Sequence, residues 1–404
     1  MSESIPLAKR LDVIEPSATV AISTRATELK AQGVDVLSFS VGEPDFDTPA
    51  HIRQAAYDAI EHGATRYTAV RGIPQLREAI CAVSKARRGG VSHKPSEVVV
   101  SVGAKHTLFN LAMTLFEPGD EVIVPAPYWV SYPEQAKMMG AEPVIVETTE
   151  KDGFRLSGAQ LEKAITSKTK ALILCSPSNP TGSAYTAAQL QELVDVLKRH
   201  PKVWIIVDEI YGQLIYDGFK QVSILELAPE LKDRIIIVDG VSKTFAMTGW
   251  RIGWMLAPEY VAKACDMVQS QSTTNPTTVA QYAAVAALTG PWEPIEEMRK
   301  AFETRRNLIV DGLNKIDGVS CRMPEGAFYA YANVKDLIGM KAGDKQIDND
   351  LQLGAYLLEE ARVAVVPGGA FGSPGYLRIS YAASPETIRD GLGRIKAAVA
   401  KLKR

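Results

Sequence analysis

The 404-residue chain is longer than one hydrophobic core usually holds, so two domains are expected. Hydrophobic residues make up 46 % of it, and a formal charge of −2 spread over dispersed rather than massed ionic residues argues against a nucleic-acid footprint. No apolar run nears the roughly 20 residues that span a bilayer, the four cysteines lack CxxC spacing, and the first residues lack a leader pattern; the expectation is a cytoplasmic protein with free thiols, no metal and no membrane segment.

In chain order, residues 19–32 read as a helix closed by Gly33, and residues 36–40 as a short strand. From 47 to 290, apolar runs alternate with amphipathic helices, which is the βαβ pattern of a mostly parallel α/β sheet covered on both faces. The run 98–102 meets Gly103, where the chain turns into a helix over 104–116 whose first N–H groups suit an anion. A loop, Pro127-Tyr128-Trp129, follows the strand 121–124. The run 171–175 opens into Ser176-Pro177-Ser178-Asn179-Pro180-Thr181-Gly182, a turn that presents Asn179. Trp204-Ile205-Ile206-Val207 reads as a buried strand ending in Asp208-Glu209-Ile210-Tyr211. A carboxylate at that end needs a cationic partner.

The next run, Ile235-Ile236-Ile237-Val238, precedes Ser242-Lys243, and Arg251 stands eight positions after Lys243. Ligands of open α/β sheets collect at the carboxyl ends of the strands. A lysine amine there can form a Schiff base with an aldehyde, and a guanidinium can pair bidentately with a phosphate of the same molecule. Pyridoxal 5′-phosphate carries both groups. Asp208 then meets the protonated pyridine nitrogen and makes the ring an electron sink, while Tyr211 and Asn179 reach its phenolic oxygen. Ser242 adds a hydroxyl to the phosphate site. Desolvation beside other cations is expected to bring the Lys243 amine toward neutrality.

A second, smaller α+β unit is expected over 291–404, and residues 1–46 form an arm and part of that unit. Its elements are a helix over 301–313, strand-like runs at 327–331, 363–366 and 377–380, a polar loop over 335–350 and a closing helix over 385–403. Arg378 lies in an alternating run; buried there it calls for an anion, and an amino-acid carboxylate suits a bidentate guanidinium. Gly42 lets backbone approach the same carboxylate.

The ordered set Pro16-Ser17-Ala18-Thr19, Gly42-Glu43-Pro44-Asp45-Phe46, Gly103-Ala104-Lys105, Pro127-Tyr128-Trp129, Asn179-Pro180-Thr181-Gly182, Asp208-Glu209-Ile210-Tyr211, Ser242-Lys243 and Tyr376-Leu377-Arg378-Ile379-Ser380-Tyr381 spans almost the whole chain. In it the chain resembles a class I pyridoxal-phosphate aminotransferase of fold type I, in the aspartate aminotransferase branch of bacteria and archaea. That resemblance implies a homodimer in which Tyr67 reaches the phosphate of the neighbouring subunit. It also implies that Trp129 covers the pyridine ring, and that Gly103, Ala104 and Lys105 lie at the cofactor. Lys105 and Thr19 then meet the distal carboxylate of aspartate. The implied reaction moves the amino group of L-aspartate to 2-oxoglutarate by a ping-pong route through a Lys243 Schiff base. Relatives that also accept prephenate carry Lys or Arg before Pro-Ser-Ala-Thr; Glu15 stands here, so prephenate is not expected. A related lyase, or an alanine, aromatic or kynurenine aminotransferase, shares the scaffold and stays open on the motifs alone. A cofactor-sensing transcription regulator needs an additional DNA-binding domain, and a nicotinamide enzyme a GxGxxG after its first strand; neither is expected.

Overall fold

The computed structural model describes residues 7–404; residues 1–6, on which the absence of a leader pattern was read, lie outside the described residues. The arm enters as helix α1 (Ala18–Ala31) and strand β1 (Leu37–Ser38). Only those two residues of the expected strand 36–40 pair, because their partner segment, Val363–Ala364, is itself two residues long.

Helices α2 (Ala50–Glu61) and α3 (Pro74–Arg87) lead into a sheet of seven strands: β2 (Val98–Val102), β3 (Glu121–Ala126), β4 (Glu142–Glu147), β5 (Thr169–Cys175), β6 (Trp204–Asp208), β7 (Ile235–Gly240) and β8 (Ile252–Leu256). Their order across the sheet is β2-β8-β7-β6-β5-β3-β4, and β8 alone runs antiparallel to its neighbours. Continuous apolar runs form these strands because both faces are buried. Side chains alternate between two cores, as the period of a strand requires. Ile205, Val207, Ile235 and Ile237 pack on one face, and Ile206, Ile236 and Val238 on the other.

Helix α4 (Ala104–Leu115) follows β2 through Gly103, and α5 (Ser131–Met138) follows β3. Beyond the sheet, the long helix Glu293–Leu313 starts earlier than the expected residue 301. Pro294 at its first turn is compatible with helix geometry, and Ile295 and Met298 continue its buried stripe. It packs with a second, antiparallel sheet of β9 (Ser320–Cys321), β10 (Tyr329–Asn333), β14 (Val366–Pro367) and β15 (Tyr376–Ser380), in which β10 and β15 are central. The segment 335–350, read as a loop, folds a hairpin of β11 (Lys341–Ala342) and β12 (Lys345–Gln346) about Gly343, and Val363–Ala364 is β13. A closing helix, Pro385–Val399, starts at Ser384, whose hydroxyl accepts the Thr387 N–H. Among the described residues no helix is long and apolar enough to cross a membrane.

Candidate active site

Five strands deliver side chains to one edge. Neighbouring parallel strands β5, β6 and β7 end there: Asn179 follows β5, Asp208 is the last residue of β6 with Tyr211 just beyond, and Lys243 follows β7. Arg251 reaches the same edge differently: it precedes β8, and because β8 runs antiparallel its first residues lie beside the last residues of β7. The expectation that all these groups follow strand ends is corrected for Arg251. β2 ends at the same edge and continues through Gly103 into α4. Together these groups line a cavity of about 340 Å³.

One end of the cavity is built for an anion. Gly103 has φ 81°, and a Cβ there would stand 2.6 Å from an Arg251 Nη; a Cβ on Gly253 would stand 2.2 Å from the Ala104 nitrogen. Glycine at both positions lets β8 and the start of α4 close on each other. The His106 and Thr107 N–H groups fold back onto the Gly103 carbonyl, leaving those of Ala104 and Lys105 without a backbone acceptor among the described residues. Among the described residues Arg251 donates only to carbonyls, of Thr248 at 3.0 Å and Val102 at 3.3 Å. No carboxylate lies within ion-pair distance of it among the described residues. The buried Ser242 hydroxyl borders the same space.

At the centre, half-buried Lys243 donates through Nζ to the Gly42 carbonyl at 2.6 Å. Burial lowers its pKa to about 8, with Arg251 and Arg378 adding to the shift and Glu43 opposing it. Asp208, 4 % exposed, accepts the Tyr132 hydroxyl at 2.8 Å and the Ile210 N–H at 3.2 Å. No cationic partner of the kind expected for it stands among the described residues. Burial therefore raises Asp208 to about 6, against the pull of those two hydrogen bonds. Tyr211 and Tyr329 share a 2.8 Å hydrogen bond, and burial keeps the Tyr211 hydroxyl protonated. Trp129 stands edge-to-face on Tyr132, with the Lys105 ammonium 4.9 Å from its ring centre.

The far end is built for a carboxylate. Arg378, 1 % exposed, donates to Asn179 Oδ1 at 2.9 Å and the Ser40 carbonyl at 2.6 Å, and its Nε has no acceptor among the described residues. The guanidinium is held against the rings of Tyr329 and Phe371, at 4.6 and 5.1 Å. Gly42 borders the cavity, and a Cβ there would stand 2.8 Å from the Tyr329 hydroxyl, which by itself calls for glycine. Thr19, Ser17 and Lys105 border the remaining wall.

Of the residues singled out in sequence, Gly103 stands behind Arg251 rather than on the cavity wall, and Tyr67 is elsewhere. Tyr67 is 89 % exposed in an open depression with Arg66, Thr274 and Asn275. Glu15 is exposed and off the cavity wall, and the remaining cofactor and substrate candidates border the cavity. Tyr132, Tyr329, Ser40 and Cys175 also border or serve the site; the first three make their contacts across long stretches of chain, and Cys175 ends β5 at the cavity wall. The only sequence signal was position: Tyr132 three residues after Trp129, Tyr329 at the head of a strand.

An amine close to neutrality, a buried carboxylate lacking a cation, an unpaired guanidinium beside free helix N–H groups and an aromatic wall match the aldehyde, ring nitrogen, phosphate and π-face of pyridoxal 5′-phosphate. Sheet, edge and donor set define a fold type I pyridoxal-phosphate transferase. The model of the class I and II aminotransferases matches residues 34–395, and the chain belongs to that family. It is 50 % identical over 390 residues to an aspartate aminotransferase of Geobacillus stearothermophilus, covering 96 % of this chain and 98 % of that one. It is 47 % identical to an aspartate/prephenate aminotransferase of Cereibacter sphaeroides, covering 98 % and 99 %. The crystal structure of the Rhizobium meliloti aspartate aminotransferase superposes with a TM-score of 0.96 at 45 % identity, covering 99 % of this chain and all of that one.

Proposed function

We propose that this aminotransferase takes the amino group from L-aspartate and gives it to 2-oxoglutarate, producing oxaloacetate and L-glutamate. The observation that carries the residue roles is Arg378, a buried guanidinium without a carboxylate, in one cavity with the Lys243 amine. Bound pyridoxal 5′-phosphate supplies an aldehyde that captures amines and a ring that accepts the electrons released at Cα.

The chain's own groups do the rest. Arg251, Ser242 and the first N–H groups of α4 hold the phosphate, and Asp208 holds the ring nitrogen. Tyr211 and the Asn179 amide donate to the phenolic oxygen, and Trp129 covers the ring. Arg378 grips the α-carboxylate through its Nε and Nη edge. Lys105 and Thr19 face the distal carboxylate, which favours a dicarboxylic substrate. Lys243, with a pKa lowered to about 8 and so able to act in its neutral form, takes the proton from Cα and returns it on the other side of the exchange. Oxaloacetate leaves before 2-oxoglutarate enters, so the kinetics are ping-pong. Glu15 is exposed and outside the cavity wall, and prephenate is read as a poor substrate.

We take residues 47–290 as the cofactor-holding unit and 291–404 with the arm as the smaller one. We also infer a cytoplasmic homodimer, in which the exposed Tyr67 serves the partner's phosphate. Mixing inactive Tyr67→Ala and Lys243→Ala chains restores activity if sites are shared, and fails to if they are not.

The first test is the visible spectrum of the purified protein. A cofactor band that bleaches with aspartate and returns with 2-oxoglutarate supports the substrate pair; indifference to aspartate overturns it. Lys243→Ala is expected to bind cofactor non-covalently and lose essentially all turnover.

A further inference from the structure

Asp208 and Glu209 are adjacent buried carboxylates with different escorts. Glu209 is paired with the Arg88 guanidinium at 2.7 Å; Asp208 receives the Tyr132 hydroxyl at 2.8 Å. A cation at Tyr132 would neutralise Asp208 and leave nothing for a ring nitrogen. A hydroxyl steadies the charge without cancelling it. Tyr132 on Oδ2 and the Ile210 N–H on Oδ1 fix the carboxylate from both oxygens.

Tyr132 also stands behind the aromatic wall. It is 3 % exposed in the first turn of α5, its ring meets Trp129 edge-on at 5.4 Å and 79°, and its N–H donates to the Trp129 carbonyl at 3.0 Å. Burial holds its hydroxyl protonated, with Asp208 adding to the shift, so it remains a donor. Glu209 and Asp239 lie close enough to disfavour the Asp208 charge, and Cys175 adjoins it. The Tyr132 hydrogen bond works against that protonation, so without it the carboxylate takes up a proton more readily and holds a pyridinium less well.

We propose that Tyr132 is a positioning residue for the cofactor, acting through Asp208 to keep a charged, oriented carboxylate under the ring nitrogen while bracing Trp129. This deepens the reading of Asp208 given above and rests on it.

The test uses the full-length protein freed of cofactor and two probes: pyridoxal 5′-phosphate, and its carbocyclic analogue with CH in place of the ring nitrogen. Dissociation constants are measured for the unaltered protein, Tyr132→Phe and Asp208→Asn. Tyr132→Phe keeps the ring and its contact with Trp129 and removes only the hydroxyl. Its expected effect is a loss of about tenfold in the preference for the nitrogen-containing cofactor, the size of one hydrogen bond to a charged group, with the analogue bound as before. If Asp208→Asn abolishes the preference and Tyr132→Phe leaves it intact, Tyr132 has no such role and the Asp208 reading stands. A parallel loss of both probes in Tyr132→Phe makes it a packing residue and overturns the proposal. A preference unchanged in Asp208→Asn removes the Asp208 reading, and the proposal falls with it.

Discussion

Arg88 and Arg378 are both almost wholly buried, and they differ in what surrounds them. Arg88, at the end of α3, meets Glu209 through Nε at 2.7 Å and Asp239 through Nη2 at 3.0 Å. Those carboxylates are completed by the Ser223 hydroxyl at 2.6 Å and the Gly240 N–H at 2.7 Å. Arg378 has an amide oxygen, a carbonyl and two aromatic faces, but no carboxylate among the described residues. Its pKa is lowered by burial, whereas Arg88 is held up by its two anions against the same penalty. A buried ion whose partners are all protein belongs to the scaffold. One whose anion is missing specifies a ligand.

The contrast breaks most readily at Arg88. Arg88→Met leaves two buried carboxylates facing each other, and stripping one partner from a buried pair costs about 3–5 kcal/mol. Urea unfolding should show that loss, and adding Glu209→Gln and Asp239→Asn should recover much of it. A midpoint unmoved by Arg88→Met means the network is not structural. Arg378→Leu should do the reverse. Its kcat/KM for aspartate falls about a hundredfold or more, as expected when a buried charge pair with a ligand is truncated, while the unfolding midpoint of the cofactor-free protein holds or rises. A large drop in stability would place Arg378 with Arg88.

The same contrast explains what was legible in sequence. Asn179, Asp208, Lys243 and Arg251 each stand beside an apolar run or in a distinctive turn, so local pattern exposed them and the sheet edge that gathers them. Arg88 gave no such signal, and the pattern that exposed Asp208 does not tell it apart from Glu209 beside it. Nothing local in Arg87-Arg88-Gly89-Gly90 says that Arg88 folds inward to meet Glu209 and Asp239. Tyr132 and Tyr329 were silent too, because each acts on a residue more than seventy positions away. Element ends failed where tertiary pairing decides them, as in β1, limited by its two-residue partner, and the hairpin at Gly343.

Lys243 extends the comparison, since a lysine can shed its charge where an arginine cannot. Its folded pKa of about 8 lies below the ordinary 10.5. Between those values the unfolded chain holds a proton that the native chain lacks, so this site's contribution to stability rises with pH from about 8 toward 10.5. Below pH 8 both states are protonated and the cost of burying the cation is complete. Asp208 has the opposite sign: raised from 3.8 to about 6, it lowers stability as pH climbs through that interval. In the cofactor-free protein, Lys243→Met should remove part of the alkaline slope. Equal slopes in the two proteins would mean that the amine is not desolvated.

The smallest effect is expected at the surface. Glu15 is exposed, its N–H donates to Glu134 Oε2 at 2.8 Å, and Glu134 pairs with Lys137 at 2.9 Å; Ser17 and Thr19, just beyond, border the cavity. Prephenate brings a second carboxylate, which an acidic residue two positions before the lining Ser17 repels. An exposed charge acts through water and salt, and its field fades over about 8–10 Å at physiological ionic strength. Glu15→Lys should therefore raise kcat/KM for prephenate only a few-fold at low salt, the range of a surface ion pair, and leave aspartate turnover nearly constant. Added salt separates field from contact: a gain that vanishes at high ionic strength is electrostatic, and one that persists means the new lysine touches the substrate. No gain at any salt concentration would show that the sign of charge at position 15 does not set the response to prephenate, leaving discrimination to the buried, unsatisfied groups that distinguish Arg378 from Arg88.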